Sequence, residues 1–407
     1  MDFAPRLGFA WDPFGRGKDS IRAGFGVFFD SPAVNSVENF VPANPPFVNS
    51  TSISNTNLDN PASVVANINL APPAVGGPDP NWKQPYSEMY NLDWQHQFNS
   101  STMIDVGYYG NVGRHLLGVV DVNEAPPGAF QSIVPAIPSP VASGSATRKL
   151  NLVRPFQGWD AINLFETAFT SNYNGLQTAF QKRFSSNSVI VFNYTWSHAL
   201  GTATSDFRAP QNSYNIRGDY GNLDYDRRHI MNVSYVYNLP FFKDRTGFAG
   251  HALKGWEVSG IMLGQTGSHL TASLSRDPAG LGVRDGASFA GGRPDIVGNP
   301  NVGGANTITQ WFNPAAFAAV PTGVIRPGNE GRGTIVGPAY FRWDASLFKN
   351  FKLSERFNLQ FRAESFNVLN HVNFSNPAST SLTSSVFNKI TSARDPRNMQ
   401  MALKLQF

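Results

Sequence analysis

The stretch RWDASLFKNFKLSERFNLQFRAE, residues 342–364, decides the fold class of this chain. Apolar and polar residues alternate on both sides of a short polar segment around Ser354. The apolar positions are Trp343, Ala345, Leu347, Phe351, Phe357, Leu359, Phe361 and Ala363. A period of two places successive side chains on opposite faces of a β-strand. The stretch therefore predicts two antiparallel strands joined by a hairpin turn, each with one apolar and one polar face.

The same alternation recurs along the chain and predicts an all-β protein. We expect eleven strands, near residues 4–11, 20–29, 86–98, 102–112, 173–184, 189–200, 228–239, 255–266, 339–350, 357–368 and 398–407. Short turns follow Phe98, Phe184 and Phe351. Long segments rich in Pro, Gly, Asn and Ser fill about 30–85, 113–172, 201–227, 267–338 and 369–397. Short turns alternating with long loops are typical of an antiparallel transmembrane β-barrel.

Charged residues keep to the polar phase of the predicted strands. They are Arg6, Arg22, Asp93, Asp105, Arg183, Glu257, Arg342, Asp344, Arg362, Glu364 and Lys404. The exceptions, Glu88, Lys182 and Lys349, lie near strand ends, where a long side chain can reach a polar boundary. An Arg or Lys on the lipid face at mid-bilayer costs about 2–4 kcal/mol. This segregation favours a barrel over a water-soluble β-sandwich. Strand length favours it too, because sandwich strands average about 5–6 residues, whereas most of the predicted strands are about ten residues long.

The two phases predict two sets of site residues. The aromatic residues expected to contact lipid are Trp94, Phe98, Tyr108, Phe180, Phe184, Phe192, Tyr194, Trp196, Tyr235, Tyr237, Trp343, Phe357 and Phe361. On the polar phase, Arg342, Asp344, Arg362 and Glu364 fall on neighbouring strands. We expect these four side chains to face the lumen and to form an ion-pair network there.

The composition excludes several functional classes. Charged residues make up 15% of the 407 residues, the formal net charge is +4, and there is no cysteine. Because no basic run is present, nucleic-acid binding is not expected. Without cysteine there can be no disulfide, thiolate nucleophile or Cys-based zinc site. The seven histidines lack metal-ligand spacing. No catalytic arrangement has a supporting motif, so we expect no enzyme activity, no cofactor and no metal.

Three motifs suggest chemistry that their context does not support. GRGKDS (15–20) resembles a phosphate-binding loop but lacks the Ser or Thr that should follow the lysine, so a hairpin turn is expected. The tripeptide RGD (217–219) lies in a long Gly/Asn-rich loop and is expected to be a chance match. Asp277, Asp285 and Asp295 share one Gly-rich loop; calcium binding is conceivable there, but use in turns is favoured.

Eight segments in consistent order resemble the recurring barrel segments of one family, the TonB-dependent outer-membrane receptors, in particular the Oar-like group. The segments are FAPRLGFAWDPFGRGKDSIRAGFGVFFD, PYSEMYNLDWQHQF, YNGLQTAFQKRFS, VFNYTWSHAL, DYDRRHIMNVSYVYNLPF, WFNPAAF, GRGTIVGPAYFRWDASLFKNF and LQFRAESFNVLNHVNFSNP. The resemblance covers nearly the whole chain. It implies the bacterial outer membrane as location and outer-membrane lipid as surroundings.

The resemblance also implies a larger parent. Members of the family have a 22-stranded barrel, a plug domain and a TonB-contacting segment, and nothing in residues 1–407 resembles the latter two. Eleven strands then correspond to the C-terminal half of the barrel, open along both edges, with TonB reached only through missing N-terminal parts. The terminal Phe407, with Leu403 and Leu405 on its phase, resembles the signal that the barrel-assembly machinery reads.

The function implied by the resemblance is energy-coupled uptake of a scarce nutrient, a siderophore, vitamin or glycan. The identity of the small-molecule or glycan ligand is left open. Two alternatives stay open as well: a passive porin-like channel, and a secreted β-rich protein for adhesion or carbohydrate binding.

Overall fold

The computed structural model describes residues 3–31, 72–133, 150–184, 188–205, 209–241, 247–282 and 292–407, with a few single positions and pairs, such as 284–285 and 288–289, between these ranges. In chain order the strands are β1 (Arg6–Trp11), β2 (Asp19–Phe29), β3 (Val75–Pro78), β4 (Tyr86–Asn99), β5 (Thr102–Asp121), β6 (Ile162–Arg183), β7 (Val189–Gly201), β8 (Gly221–Asn222), β9 (His229–Asn238), β10 (Trp256–Gln265), β11 (His269–Leu270), β12 (Arg284–Asp285), β13 (Ser288–Phe289), β14 (Asp295–Ile296), β15 (Phe317–Ala318), β16 (Ile335–Val336), β17 (Tyr340–Lys352), β18 (Asn358–Phe366) and β19 (Asn398–Gln406). The helices are α1 (Ala129–Ile133) and α2 (Gly247–Leu253), with 3-10 turns at Ile216–Asp219 and Pro314–Ala316.

One large sheet dominates the molecule. Its path runs β1-β2-β4-β5-β6-β7-β9-β10-β17-β18-β19, and every pair on this path is antiparallel. Each of the eleven strands predicted from sequence corresponds to one strand of the path. Among the described residues β1 and β19 do not pair with each other, so the sheet is open. Two short strands, β3 and β8, pair onto β6 and β7 off the path.

The register keeps one phase on one face across the whole sheet. Leu347 of β17 pairs with Val258 of β10 and with Ala363 of β18, whereas its neighbour Ser346 pairs with Ser259 and Glu364. Cross-strand partners share a face. We call the face of Leu347 the aromatic face and the face of Ser346 the polar face.

The prediction of a loop over 113–172 is wrong at both of its ends. β5 continues to Asp121 and β6 begins at Ile162, so the two strands form a hairpin that projects beyond the rest of the sheet. Irregular pairing between Gly113 and Gly118, with His115 at a φ of 52°, breaks the alternation by which strands are recognised in a sequence. Such bulges insert extra residues and shift the faces.

Most of the hydrophobic core lies among the long loops, and a smaller part lies on the projecting hairpin of the sheet. The largest buried cluster contains Ala272, Phe312, Ala316, Phe317 and Ile335. A second cluster joins Ala125, Phe130 and Leu150, and a third, on the projecting hairpin, joins Leu117, Val119 and Phe165. The long loops therefore pack into a folded layer, which we call the loop cap: residues 121–133, 150–161, 209–228, 266–282, 292–339 and 367–397. In the described part of the chain no helix is long and apolar enough to span a membrane.

Candidate functional site

The predicted aromatic residues fall on the aromatic face. Trp94 pairs with Val106, Phe192 with Phe180 and Val233, and Trp196 with Leu176. Many of these rings are exposed, with Trp196 at 52% and Tyr108 at 45%. A soluble monomer rarely leaves so continuous an apolar surface open to water. The residues placed on or beside this face are Trp94, Phe98, Tyr108, Phe180, Phe184, Phe192, Tyr194, Trp196, Tyr235, Tyr237, Trp343, Phe357 and Phe361. Their contact with lipid stays a prediction.

Lys349, a charged exception on the aromatic face, finds polar partners at the short-turn end. Its Nζ donates to the carbonyls of Ala252, at 2.6 Å, and Lys254, at 2.9 Å. The ammonium also lies 5.1 Å from the centre of the Trp256 ring and 4.8 Å from that of Phe351. A charge with carbonyl and aromatic partners avoids the cost of lying unpaired against an apolar face.

The chain end continues the aromatic face. Leu403 pairs with Phe361 and Leu405 with Leu359. Phe407 lies one residue beyond β19, is 95% exposed, and borders the turn between β17 and β18. The position agrees with a ring presented at the short-turn edge. Its role as an assembly signal stays a prediction.

The four predicted lumen residues lie on the polar face but have different partners. Arg342 Nε donates to Asp344 Oδ1 at 2.7 Å, and the same oxygen accepts the Asn367 backbone N–H at 2.8 Å. Arg362 donates to Gln360 at 2.6 Å, and Glu364 accepts a hydrogen bond from Gln400. The structure thus brings Arg342 and Asp344 together. A network that includes all four side chains stays a prediction.

The loop cap is held by a buried ion-pair node at Asp219. One carboxylate oxygen pairs with Arg293 and the other with Arg332, at 2.7 Å in the second case. The Asp219 side chain is 3% exposed and the two arginine side chains are 10% and 15% exposed. Since the partners come from a different loop, this node fastens the loop before β9 to the loop before β17. Asp219 is the aspartate of the RGD tripeptide, so its carboxylate is committed to the interior and not available to a receptor.

A second buried node fixes the end of the projecting hairpin. The Arg154 guanidinium lies 3.1 Å from both Asp121 and Asp160, and its Nε donates to Asn151 at 2.9 Å. Its side chain is fully buried. Because a buried charge is tolerated only when it is paired and hydrogen-bonded, this arginine specifies one arrangement of the segment after β5.

Two buried glutamates in the loop cap carry raised pKa values. Burial raises the pKa of Glu124 to about 9, although its Oε2 accepts the Ser213 N–H at 2.7 Å. Burial also raises the pKa of Glu330 to about 7, against hydrogen bonds from Thr334 and from the Ala272 N–H. Within the described residues, one oxygen of each carboxyl has no hydrogen-bond partner. Burial therefore shifts both carboxyl groups toward the neutral form, compared with a glutamate in water.

A cavity of about 410 Å3, which we call the hydroxyl cavity, lies where the polar face meets the loop cap. Its polar lining is Asp30, Ser31, Thr170, Ser171, Thr204, Ser205 and Tyr225. Phe169, Leu116 and Leu117 form part of its apolar lining. Sequence reasoning missed this cavity because its residues come from six separate segments of the chain and share no motif. Concave sites with a few polar groups on an apolar base are typical of small-molecule binding.

The chain matches the family model of the outer membrane beta barrel domain over residues 1–400. It belongs to that family. The predicted fold class, an antiparallel outer-membrane barrel that is open in this chain, is therefore confirmed, as is the bacterial outer membrane as location. No curated protein matches the chain in sequence.

The barrel is similar to several solved outer-membrane structures. The transporter YddB from Escherichia coli has 9% identity and a TM-score of 0.49, with 99% of this chain and 40% of that chain covered. The siderophore receptor PirA from Acinetobacter baumannii has 13% identity and a TM-score of 0.48, with 100% of this chain and 41% of that chain covered. The siderophore receptor PiuA from the same organism has 9% identity and a TM-score of 0.44, with 98% of this chain and 35% of that chain covered. The chain thus spans less than half of the length of each.

The remaining motifs of this barrel are used in turns. Asp12 accepts the backbone N–H groups of Phe14, Gly15 and Gly17 at 3.1, 3.0 and 2.7 Å, so GRGKDS closes the β1–β2 hairpin as predicted. Asp277 accepts three backbone N–H groups, those of Ala279, Gly280 and Gly282.

Asp295, the third aspartate of that loop, makes a double contact with Arg326 at 2.7 and 2.8 Å. The Asp285 side chain lies outside the described residues. Turn and ion-pair use thus accounts for Asp277 and Asp295. In the described ranges no group of three His, Cys, Asp or Glu side chains is placed to hold a metal ion.

Proposed function

We propose that this chain is the C-terminal part of the barrel of a TonB-dependent receptor that imports a scarce small nutrient. The observation that carries the proposal is the hydroxyl cavity, which lies on the polar-face side at the base of the loop cap. In outer-membrane barrels the longer loops face the exterior. A ligand arriving from outside would meet the loop cap first and this cavity next.

The lining of the hydroxyl cavity suits a neutral, oxygen-rich ligand. Hydroxyl side chains donate and accept hydrogen bonds, and Phe169 and Tyr225 offer apolar ring faces. Asp30 is the single charged residue in this lining. Among a siderophore, a vitamin and a glycan, this chemistry favours a glycan or another polyhydroxylated compound.

Completion of the barrel by other strands is part of the same proposal. Bacterial single-chain barrels have even strand numbers, and the open sheet has eleven strands on its path. Unpaired strand edges in hydrocarbon cost several kcal/mol for each unsatisfied group. The chain alone is therefore expected to need detergent and to conduct no ions. If it conducts ions in a planar bilayer as a closed pore, the porin-like alternative replaces this proposal.

The test is uptake by cells that express the full-length protein containing this barrel. Radiolabelled ferric siderophores, cobalamin and oligosaccharides are offered one at a time, with TonB present or deleted. Saturable uptake of one compound, lost without TonB, is expected. Uptake that rises linearly with concentration and ignores TonB would contradict the proposal.

A matched pair of variants connects the uptake to the hydroxyl cavity. Tyr225 lines the cavity and is 58% exposed, whereas Tyr220, 46% exposed, lies in the same loop outside its lining. Tyr225→Ala is expected to lower uptake at least fivefold at unchanged outer-membrane amounts, and Tyr220→Ala to leave uptake unchanged. Equal effects of the two variants would remove the cavity from the proposal.

A further inference from the structure

A second cavity, of about 650 Å3, opens on the aromatic face and not on the polar face. We call it the charged cavity; its ionisable lining is Asp79, Lys83, Glu88, Arg114, His115 and Glu166. Its side of the sheet follows from the register. Tyr86 pairs with both Phe29 and Arg114, and Glu88 pairs with Val27 and Val112, all on the aromatic phase. The charged cavity and the hydroxyl cavity thus open on opposite faces of the sheet and share one lining residue, Thr170.

The charged cavity lies at the height of lipid headgroups. A tilted strand crosses the hydrocarbon in about 9–11 residues. Glu88 lies about eleven residues from the short-turn end of β4 at Asn99, and Arg114 lies about twelve residues from the short-turn end of β5 at Thr102. Both side chains therefore leave the hydrocarbon on the long-loop side. The rings of Phe29, Tyr86 and His115 lie in a row at this level, with centroids 5.6 and 5.8 Å apart.

The charges in this cavity are not neutralised by one another. In the part of the chain that the structure describes, Lys83, Glu88, Arg114 and Glu166 form no ion pair with another side chain. Burial, and then the Asp79 carboxylate, raises the pKa of Glu166. A cation placed near these two carboxylates would relieve their mutual repulsion. An anion placed near Lys83 and Arg114 would pair with their positive charges.

We propose that the charged cavity binds the zwitterionic headgroup of a membrane lipid, a phosphate ester that carries a primary ammonium group. The phosphate pairs with Arg114 and Lys83, and the ammonium pairs with Glu166 and Asp79. A purely anionic headgroup fits less well, since three carboxylates share the lining with two permanent cations. The lipid is favoured over a free solute because the cavity opens beside the apolar aromatic face, where acyl chains can lie along Tyr86.

The test measures which lipid stays bound when the protein is extracted from outer membranes. The protein, in detergent, is exchanged into equimolar phosphatidylethanolamine and phosphatidylglycerol and examined by native mass spectrometry. Phosphatidylethanolamine is expected to be retained at least fivefold over phosphatidylglycerol. Equal retention of the two lipids, or preference for phosphatidylglycerol, would overturn the proposal.

Charge variants separate recognition from folding. Glu166→Gln is expected to abolish the preference for phosphatidylethanolamine while total lipid retention changes little, an effect that a merely structural role would not produce. Arg114→Gln is expected to lower retention of both phospholipids at least fivefold. The control Arg356→Gln, in the turn at the opposite end of the sheet, should behave as wild type. Heat-modifiable gel mobility checks that every variant is folded, and unchanged retention in folded Arg114→Gln would overturn the proposal.

A soluble competitor distinguishes the source of the headgroup. O-Phosphoethanolamine at millimolar concentration is expected to leave the bound phosphatidylethanolamine in place, because the free compound lacks acyl chains that lie on the aromatic face. If it displaces the lipid completely, the cavity is a site for a free phosphate ester and the lipid assignment is wrong.

Discussion

Leu347 and Ser346 are neighbours in β17, and the same substitution at the two positions should have opposite consequences. β17 has 13 residues, Tyr340–Lys352, and Ser346 is its centre. With a rise of about 3.3 Å per residue and a tilt of about 40°, six residues project about 15 Å along the membrane normal, half of the ~30 Å hydrocarbon core. Leu347 therefore lies near the bilayer midplane.

Leu347→Arg places a guanidinium on the aromatic face, between Val258 and Ala363. The cost of about 2–4 kcal/mol near the midplane corresponds to an approximately 30- to 900-fold fall in the ratio of folded to unfolded protein. Ser346→Arg places the same group on the polar face, opposite Glu364. There it gains a nearby carboxylate, so little or no loss is expected.

The assay is a urea titration of isolated outer membranes that contain the full-length protein, read by heat-modifiable gel mobility. The midpoint should shift to lower urea for Leu347→Arg and stay near wild type for Ser346→Arg. If the two variants lose equal stability, or if Ser346→Arg loses more, the assignment of the two faces is wrong.

Three further outcomes follow from the loop cap and the chain end. Asp219→Asn leaves Arg293 and Arg332 without their shared carboxylate and should destabilise the loop cap by about 3–5 kcal/mol. Cleavage of the loop cap by trypsin added to intact cells should therefore increase. The control Asp224→Asn, an exposed change in the same loop, should leave the cleavage unchanged. The pKa of Glu330 is about 7 in the folded state and 4.5 for an unperturbed glutamate side chain, so stability on the order of 3 kcal/mol should be present below pH 4.5 and lost as the pH rises through 7. Hydrogen exchange of the amides around Ala272, corrected for intrinsic rates, should show this loss of protection as the pH rises, and Glu330→Gln should remove the pH dependence. Greater protection at pH 8 than at pH 5 would contradict the prediction. Phe407→Asp should reduce surface exposure of a loop epitope; normal assembly of this variant would leave the terminal ring without the predicted role.

The sequence determined the strands and their faces because both depend on local spacing. A period of two is visible within ten residues, as in residues 342–351, and it assigns each side chain to a face without knowledge of the partner strand. The same local reasoning placed Lys349 on the aromatic face, as the register confirms. The projecting ends of β5 and β6 escaped it because a bulge near His115 interrupts the period.

Only the tertiary structure decided how the long loops pack. Asp219 meets Arg332 across 113 positions of sequence, and the Asn388 side chain accepts the Trp311 N–H across 77. Such pairings depend on which loop ends the sheet brings together, and no local period records that. The same holds for both cavities, whose lining residues are contributed by separate strands and loops. Local alternation fixes which way a side chain points, but the neighbours it meets are set by the assembled sheet.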